Sequence, residues 1–222
     1  MKQEKQDQVD DLVQQATSQP GVPIAQQAST PEKTVSSSPL SLPGDVQKLL
    51  DLAKKVKSYQ YEHSQSPNLK LLTKTWVKGD RVKVELYQPP RYDPLTYYNT
   101  VYFDLSTKYA MGYCEDSLRC RDRQNAAVSV DYQSSRPKLA AEWLSEIDTA
   151  TVQVLQTQPI DNRPAKRIQY QDDGTAVDMW LDETYGLPLK IVVNYAEPFT
   201  VQFSKLIANT VVDETVTEPV KK

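Results

Sequence analysis

The chain has 222 residues, with 15 prolines, 13 tyrosines and only three phenylalanines, and its formal net charge is -3. It has no run of lysine and arginine that could bind phosphates, so nucleic acid is not an expected partner. No apolar run approaches the roughly 20 residues that a membrane-spanning helix needs. The N-terminus, Met-Lys-Gln-Glu, lacks the hydrophobic region of a secretory signal.

Residues 1–42 are predicted to form a disordered tether. They are rich in Ser, Pro, Gln and Thr and poor in large apolar residues. Such a segment cannot bury enough surface to offset the entropy lost on ordering. Residues 43–216 are expected to fold as one domain, and residues 217–222 are predicted to be a disordered polar tail.

The first predicted element of the domain is a helix over residues 44–57. Apolar residues at helical spacing form one stripe, which consists of Val46, Leu49, Leu50, Ala53 and Val56. Asp45 is expected to cap the N-terminus of this helix. The lysines near residue 57 suit the negative C-terminal end of the helix dipole.

From residue 59 the hydrophobic period changes to two, which indicates antiparallel strands joined by short turns. The predicted strands are 59–66, two arms of a hairpin over 69–88 with its turn at Gly79-Asp80, 97–105, 108–114, 151–158, 164–171, 175–182, 187–195 and 199–207. A second, short helix is predicted over residues 136–147. The short turns favour a meander. The predicted fold class is therefore α+β, with about ten antiparallel strands and two short helices.

The sequence carries little that suggests catalysis. His63 is the only histidine, and its alternating strand predicts a surface side chain rather than a catalytic one. There is no nucleophile elbow and no glycine-rich phosphate loop. We therefore expect a protein that is not an enzyme, with no cofactor and no metal site.

Cys114 and Cys120 are separated by five residues and allow three interpretations. They could be two free thiols, part of a metal site, or a disulfide pair. Zinc would require three or four ligands, which one histidine and two cysteines hardly supply. A disulfide that closes a hairpin end is the favoured interpretation, and it would favour an exported protein because disulfides persist in oxidising compartments.

One face of the predicted sheet is strongly apolar. The residues on it that we predict to contact a ligand are Val84, Phe103, Met179, Leu181, Ile191, Val193 and Phe203. Two short helices must cover this face of about ten strands. Either they fill the space above it and form an ordinary core, or they leave an apolar cavity of the kind that binds small ligands.

The order of elements resembles the bacterial outer-membrane lipoprotein carriers and lipoprotein-sorting-like proteins, the LolA/LolB/LppX-like group. The most telling segments are "TWVKGDRVKVEL" (75–86), "VYFDLSTKYAMGY" (101–113) and "DMWLDETYGLPLKI" (178–191). The resemblance covers roughly residues 43–210. It implies a curved antiparallel sheet, an incomplete β-barrel, with helices that cover the concave face.

The resemblance also implies a periplasmic or outer-envelope location, a transport role, and a lipid or acylated protein as the ligand. Many relatives are lipoproteins anchored to a membrane surface by an N-terminal cysteine. Met1 stands here instead, so we expect such an anchor to be missing from this sequence. The alternative hypothesis is an envelope protein-interaction module with the same fold and a filled core.

Overall fold

The computed structural model describes residues 42–66, 68–89 and 97–220 of the chain. The predicted tether, apart from Leu42, lies outside the described residues. The part that is described has one sheet and a few short helices.

The sheet has 11 strands, which are all antiparallel to their neighbours. They are β1 (Ser58–Gln65), β2 (Lys70–Lys78), β3 (Arg81–Leu86), β4 (Thr100–Asp104), β5 (Tyr109–Tyr113), β6 (Ala127–Ser129), β7 (Gln153–Ile160), β8 (Arg163–Asp172), β9 (Thr175–Asp182), β10 (Pro188–Val193) and β11 (Phe199–Ala208). The helices are α1 (Gly44–Ala53), α2 (Ser117–Cys120) and α3 (Tyr132–Ser135), with 3₁₀ helices at Arg121–Arg123, Ala140–Glu146 and Asp213–Val216.

The strand order is β6-β5-β4-β3-β2-β1-β11-β10-β9-β8-β7. The sheet is open, because β6 and β7 each have one neighbour in it. The predicted meander is correct within β1–β6 and within β7–β11. It is wrong for the sheet as a whole, because the long connection after β6 leads to the opposite edge and β1 pairs with β11. The three-residue strand β6 was not predicted.

The cross-strand register divides the sheet into two faces. Ile168, Met179, Ile191 and Val201 lie opposite one another along four neighbouring strands and belong to the buried core. We call this side the inner face. The opposite side, the outer face, carries charged and aromatic residues such as Arg167, Trp180 and Lys190, which are also in register.

Helix α1 packs against the turn between β9 and β10, where Gly186 lies against the Leu49 backbone. Val46 and Leu49 are buried in the core. Asp45 was expected to cap the helix, but the N-cap residue is Pro43, and the Asp45 carboxylate lies 3.5 Å from the Lys166 ammonium group on β8. The helix ends at Ala53, so the predicted end at residue 57 is too late.

A second segment also lies on the inner face, and we call it the roof segment (residues 131–147). It contains α3 and the 3₁₀ helix Ala140–Glu146, where a helix over 136–147 was predicted. The Asp131 carboxylate accepts a hydrogen bond from the Ser134 backbone N–H at 2.8 Å and so caps α3. Ala140 and Ile147 are buried in the core and hold the segment on the sheet.

The predicted disulfide is confirmed, since Cys114 and Cys120 are bonded and their Cα atoms are 5.7 Å apart. The loop that it closes follows β5 and contains α2. The Asp116 carboxylate accepts hydrogen bonds from the backbone N–H groups of Leu118 and Arg119 at 2.9 and 3.3 Å.

Replacement of both cysteines by serine is expected to lower the free energy of unfolding by about 2 kcal/mol, because the unfolded chain regains the entropy of a short loop. Urea unfolding of the double variant and the oxidised parent measures the difference. An unchanged unfolding midpoint would contradict this expectation.

Candidate functional site

The roof segment and the inner face border a cavity of about 360 Å³ that is open on one side. It lies at the end of the sheet where β1 ends and β2 and β11 begin. Its lining consists of His63, Gln65, Leu72, Thr73, Val84, Leu86, Ser134, Ser135, Arg136, Pro137, Lys138, Trp143, Phe199 and Val201. The volume falls within the roughly 300–1,000 Å³ of small-molecule sites.

The sheet contributes the apolar part of the lining. Val84 and Leu86 project from β3 at alternate positions, as the sequence pattern predicts. Leu72 lies beside an irregularity in the β1–β2 register, which shifts between His63 and Ser64. Phe199 and Val201 are the first and third residues of β11. This part of the cavity suits a hydrocarbon.

The roof segment lies against two buried tyrosines of β1. The Tyr61 side chain is next to the Ala140 backbone, and the Tyr59 side chain is next to the Ala141 backbone. Burial raises the pKa of Tyr59 to about 12, and burial raises the pKa of Tyr61 still further above its usual value. The phenols are neutral at physiological pH and can hold the roof segment in place.

The domain is expected to lose stability as the pH rises above 10. A pKa of about 12 for Tyr59 in the folded protein, against about 10 in the unfolded chain, means that the folded state binds the proton more tightly. The resulting stabilisation is complete below pH 10 and is lost as the pH rises through 12. Tyr61, whose pKa is also raised, acts in the same direction.

Urea unfolding at pH 8, 10 and 11 measures this loss, and Tyr59→Phe is expected to make the curve less steep. Tyr195, which is exposed, provides the matched control, since Tyr195→Phe should leave the pH dependence unchanged. Equal curves for the parent and Tyr59→Phe would contradict the assignment.

His63 was predicted to be a surface residue, and this is wrong. It lies on the inner face, is half-buried, and stacks on Phe203 with 5.7 Å between the ring centroids. Burial lowers the pKa of His63, so the imidazole is neutral at pH 7. The prediction missed that His63 shares the odd-numbered positions of β1 with the buried residues Tyr59 and Tyr61.

Charged groups of the roof segment lie on the other side of the cavity. Arg136 forms an ion pair with Glu142, and Lys138 forms one with Glu146. The Lys138 ammonium group also lies 3.5 Å from the centroid of the Trp143 ring. The cavity therefore has an apolar floor on the sheet and a polar, cationic roof.

The seven predicted ligand-contact residues are all on the inner face or next to it, but the structure does not bring them together at one cavity. Val84 lines the cavity under the roof segment. Phe103 lines another pocket, of about 410 Å³, with Tyr109 and Glu218. The other five are buried in the core, namely Met179, Leu181, Ile191, Val193 and Phe203. A role for these five in ligand binding stays a prediction.

The residues that the sequence reasoning missed are those outside the regular alternation. Leu72 lies at the register irregularity of β2, and Arg136 lies between two helical turns of the roof segment. Trp143 lies within the second predicted helix, but nothing in its spacing indicated a cavity. In the described ranges, no group of three or more His, Cys, Asp or Glu residues is arranged to hold a metal ion.

Among the residues that the structure describes, no helix has the length and apolar character needed to cross a membrane.

Comparison with protein-family models and with curated proteins gave no match.

Several solved structures are similar to this chain in fold. MucB matches with 16% identity and a TM-score of 0.48, over 79% of this chain and 63% of that one. A MucA/MucB complex from Pseudomonas aeruginosa matches with 14% identity and a TM-score of 0.46, over 78% and 61%. A domain assigned to outer membrane lipoprotein sorting, from Vibrio parahaemolyticus, matches with 12% identity and a TM-score of 0.32, over 77% and 93%.

A lipoprotein-sorting domain is one of the matched structures. This chain spans less than two thirds of the length of the MucB chain. At these identities the likeness concerns the fold alone, so the function must be argued from the cavity.

Proposed function

We propose that this chain is a non-enzymatic protein of the cell envelope that binds the acyl chain of a lipid or of an acylated protein. The observation that carries the proposal is the cavity between the inner face and the roof segment. Its floor on the sheet includes Leu72, Val84, Leu86, Phe199 and Val201 beside the polar His63, Gln65 and Thr73, and apolar cavities with a few polar groups are typical ligand sites. The Cys114–Cys120 disulfide supports a location outside the cytoplasm.

The proposal concerns only one part of the inner face. Over β8–β10 the core is filled, since Met179, Leu181 and Ile191 are fully buried. The space lies instead over β1–β3 and the start of β11, where Leu72 and Leu86 are half-buried. An acyl chain would bind there without displacing helix α1.

A cavity-filling variant tests the proposal. Leu86→Trp places a larger side chain in the cavity, and we expect it to weaken the binding of a dansyl-labelled undecanoic acid at least tenfold, measured by fluorescence titration. Leu86 is half-buried, so the larger ring can be accommodated by the open side of the cavity. The thermal unfolding temperature is expected to change little.

Leu118→Trp is the matched control, because Leu118 is 88% exposed on the disulfide loop. It makes the same change in residue type away from the cavity and should leave binding unaltered. Equal affinities for Leu86→Trp and the parent would contradict the proposal.

The second candidate function is a protein-interaction module of the envelope. The filled core over β8–β10 favours it, because a sheet with no ligand space would serve as a rigid scaffold. It predicts no binding of the labelled fatty acid by the parent protein, so the same titration separates the two functions.

A further inference from the structure

We propose that the cavity selects a single-chain amphiphile with a carboxylate head, which Arg136 and Lys138 of the roof segment bind. This inference rests on the proposed function and adds the chemical class of the ligand and the residues that determine specificity. It follows from the distribution of charge and polarity over the cavity lining.

The charged side chains that line the cavity are all positive. Among the described residues that line the cavity, Arg136 and Lys138 are cationic, and none is Asp or Glu. The carboxylates that pair with them, Glu142 and Glu146, do not belong to the lining. A ligand in the cavity therefore contacts the two cations and not their counterions. The Coulomb interaction then favours a ligand with a negative head group.

The roof segment has hydrogen-bond donors that its own ion pairs do not use. A guanidinium group has five N–H donors and an ammonium group has three. Arg136 uses Nη2 for Glu142, and Lys138 bonds with Glu146 through Nζ. The Arg136 Nε–H is buried and has no hydrogen-bond partner among the residues that the structure describes, and the same holds for the Trp143 Nε1–H. Unused donors on the roof suit an acceptor-only head such as a carboxylate.

The polar head and the apolar chain of a ligand would lie on different sides of the cavity. The donors belong to the roof segment, whereas Leu72, Val84 and Leu86 form the floor on the sheet. A molecule with a polar head and one apolar chain matches both surfaces at once. The volume of about 360 Å³ is at the lower end of the range for ligand sites. This favours one chain over a lipid with several chains.

His63 also lines the cavity. Burial lowers the pKa of His63, so it adds no charge near neutral pH. Measurements at pH 8 therefore exclude a contribution from a charged His63.

The test compares three amphiphiles that share a twelve-carbon chain, each below its micelle concentration, by isothermal titration calorimetry at pH 8. Dodecanoate is expected to bind at least ten times more tightly than dodecanol, and dodecyltrimethylammonium is expected to bind most weakly. Lys138→Met removes the charge but keeps an apolar stem beside Trp143. We expect this variant to lose most of the preference for dodecanoate while its affinity for dodecanol stays the same.

Lys54→Met is the control, because the Lys54 side chain, directly after α1, is 71% exposed and outside the lining. It should keep the full preference. Equal affinity of the parent for dodecanoate and dodecanol, or an unchanged preference in Lys138→Met, would overturn the head-group assignment and leave the proposed function standing. If none of the three amphiphiles binds, both the assignment and the proposed function are overturned.

Discussion

Gly186→Ala is expected to prevent stable folding of the domain. A Cβ atom added at Gly186 would lie 1.8 Å from the Leu49 carbonyl oxygen and 2.8 Å from its carbon. These are backbone atoms of α1, so no side-chain rotation can relieve the contact. The helix would have to move, but Val46 and Leu49 are buried in the core. We expect a loss in the free energy of unfolding of at least about 4 kcal/mol, a size that points to such a specific mechanism.

Gly174→Ala is the matched control for this prediction. Both glycines have positive φ, +69° at Gly186 and +79° at Gly174, but an added Cβ at Gly174 would meet nothing within 4 Å. The left-handed conformation alone costs roughly 1–2 kcal/mol for a residue with a Cβ. Urea unfolding of the two variants measures both losses. Equal losses would show that α1 does not pack closely on Gly186.

Met179→Asp and Leu86→Asp are expected to separate the filled part of the inner face from the cavity. Met179 is fully buried, so an aspartate there would be a buried charge without a partner. We expect this variant to unfold at room temperature. Leu86 is half-buried and lines the cavity, so water can reach an aspartate at that position. We expect Leu86→Asp to fold and to lose fatty-acid binding.

Thermal unfolding and fluorescence titration of the two variants provide the measurements. If Met179→Asp folded with near-parental stability, the core over β8–β10 would not be filled as described. If Leu86→Asp bound the labelled fatty acid as the parent does, the ligand would not lie against β3.

Much of the sheet could be predicted from the sequence because its hairpins are local. The alternation Val82, Val84, Leu86 and the turn at Gly79-Asp80 predict β2 and β3 with nearly the observed bounds. The pairing of β1 with β11 joins residues such as Tyr59 and Ala208, which are far apart in the chain. No local pattern encodes that contact, so the predicted strand order was wrong there.

The cavity was harder to predict than the sheet, for two physical reasons. The register of β1 with β2 shifts between His63 and Ser64, so Leu72 falls outside the regular alternation. In addition, an empty space depends on the distance between the roof segment and the sheet. Periodicity gives the face on which a residue lies, but it does not give the volume above that face. The predicted ligand residues therefore lie on the inner face or next to it, but most of them are in the filled core.

Native mass spectrometry of the protein, purified gently and without detergent, tests the central claim most directly. The claim is that the space between the roof segment and β1–β3 holds an acyl chain. We predict that the parent protein and Leu118→Trp carry a bound lipid, seen as a discrete mass increase, and that Leu86→Trp does not. A parent protein that never carries lipid, or a Leu86→Trp variant that carries as much as the parent, would contradict the claim.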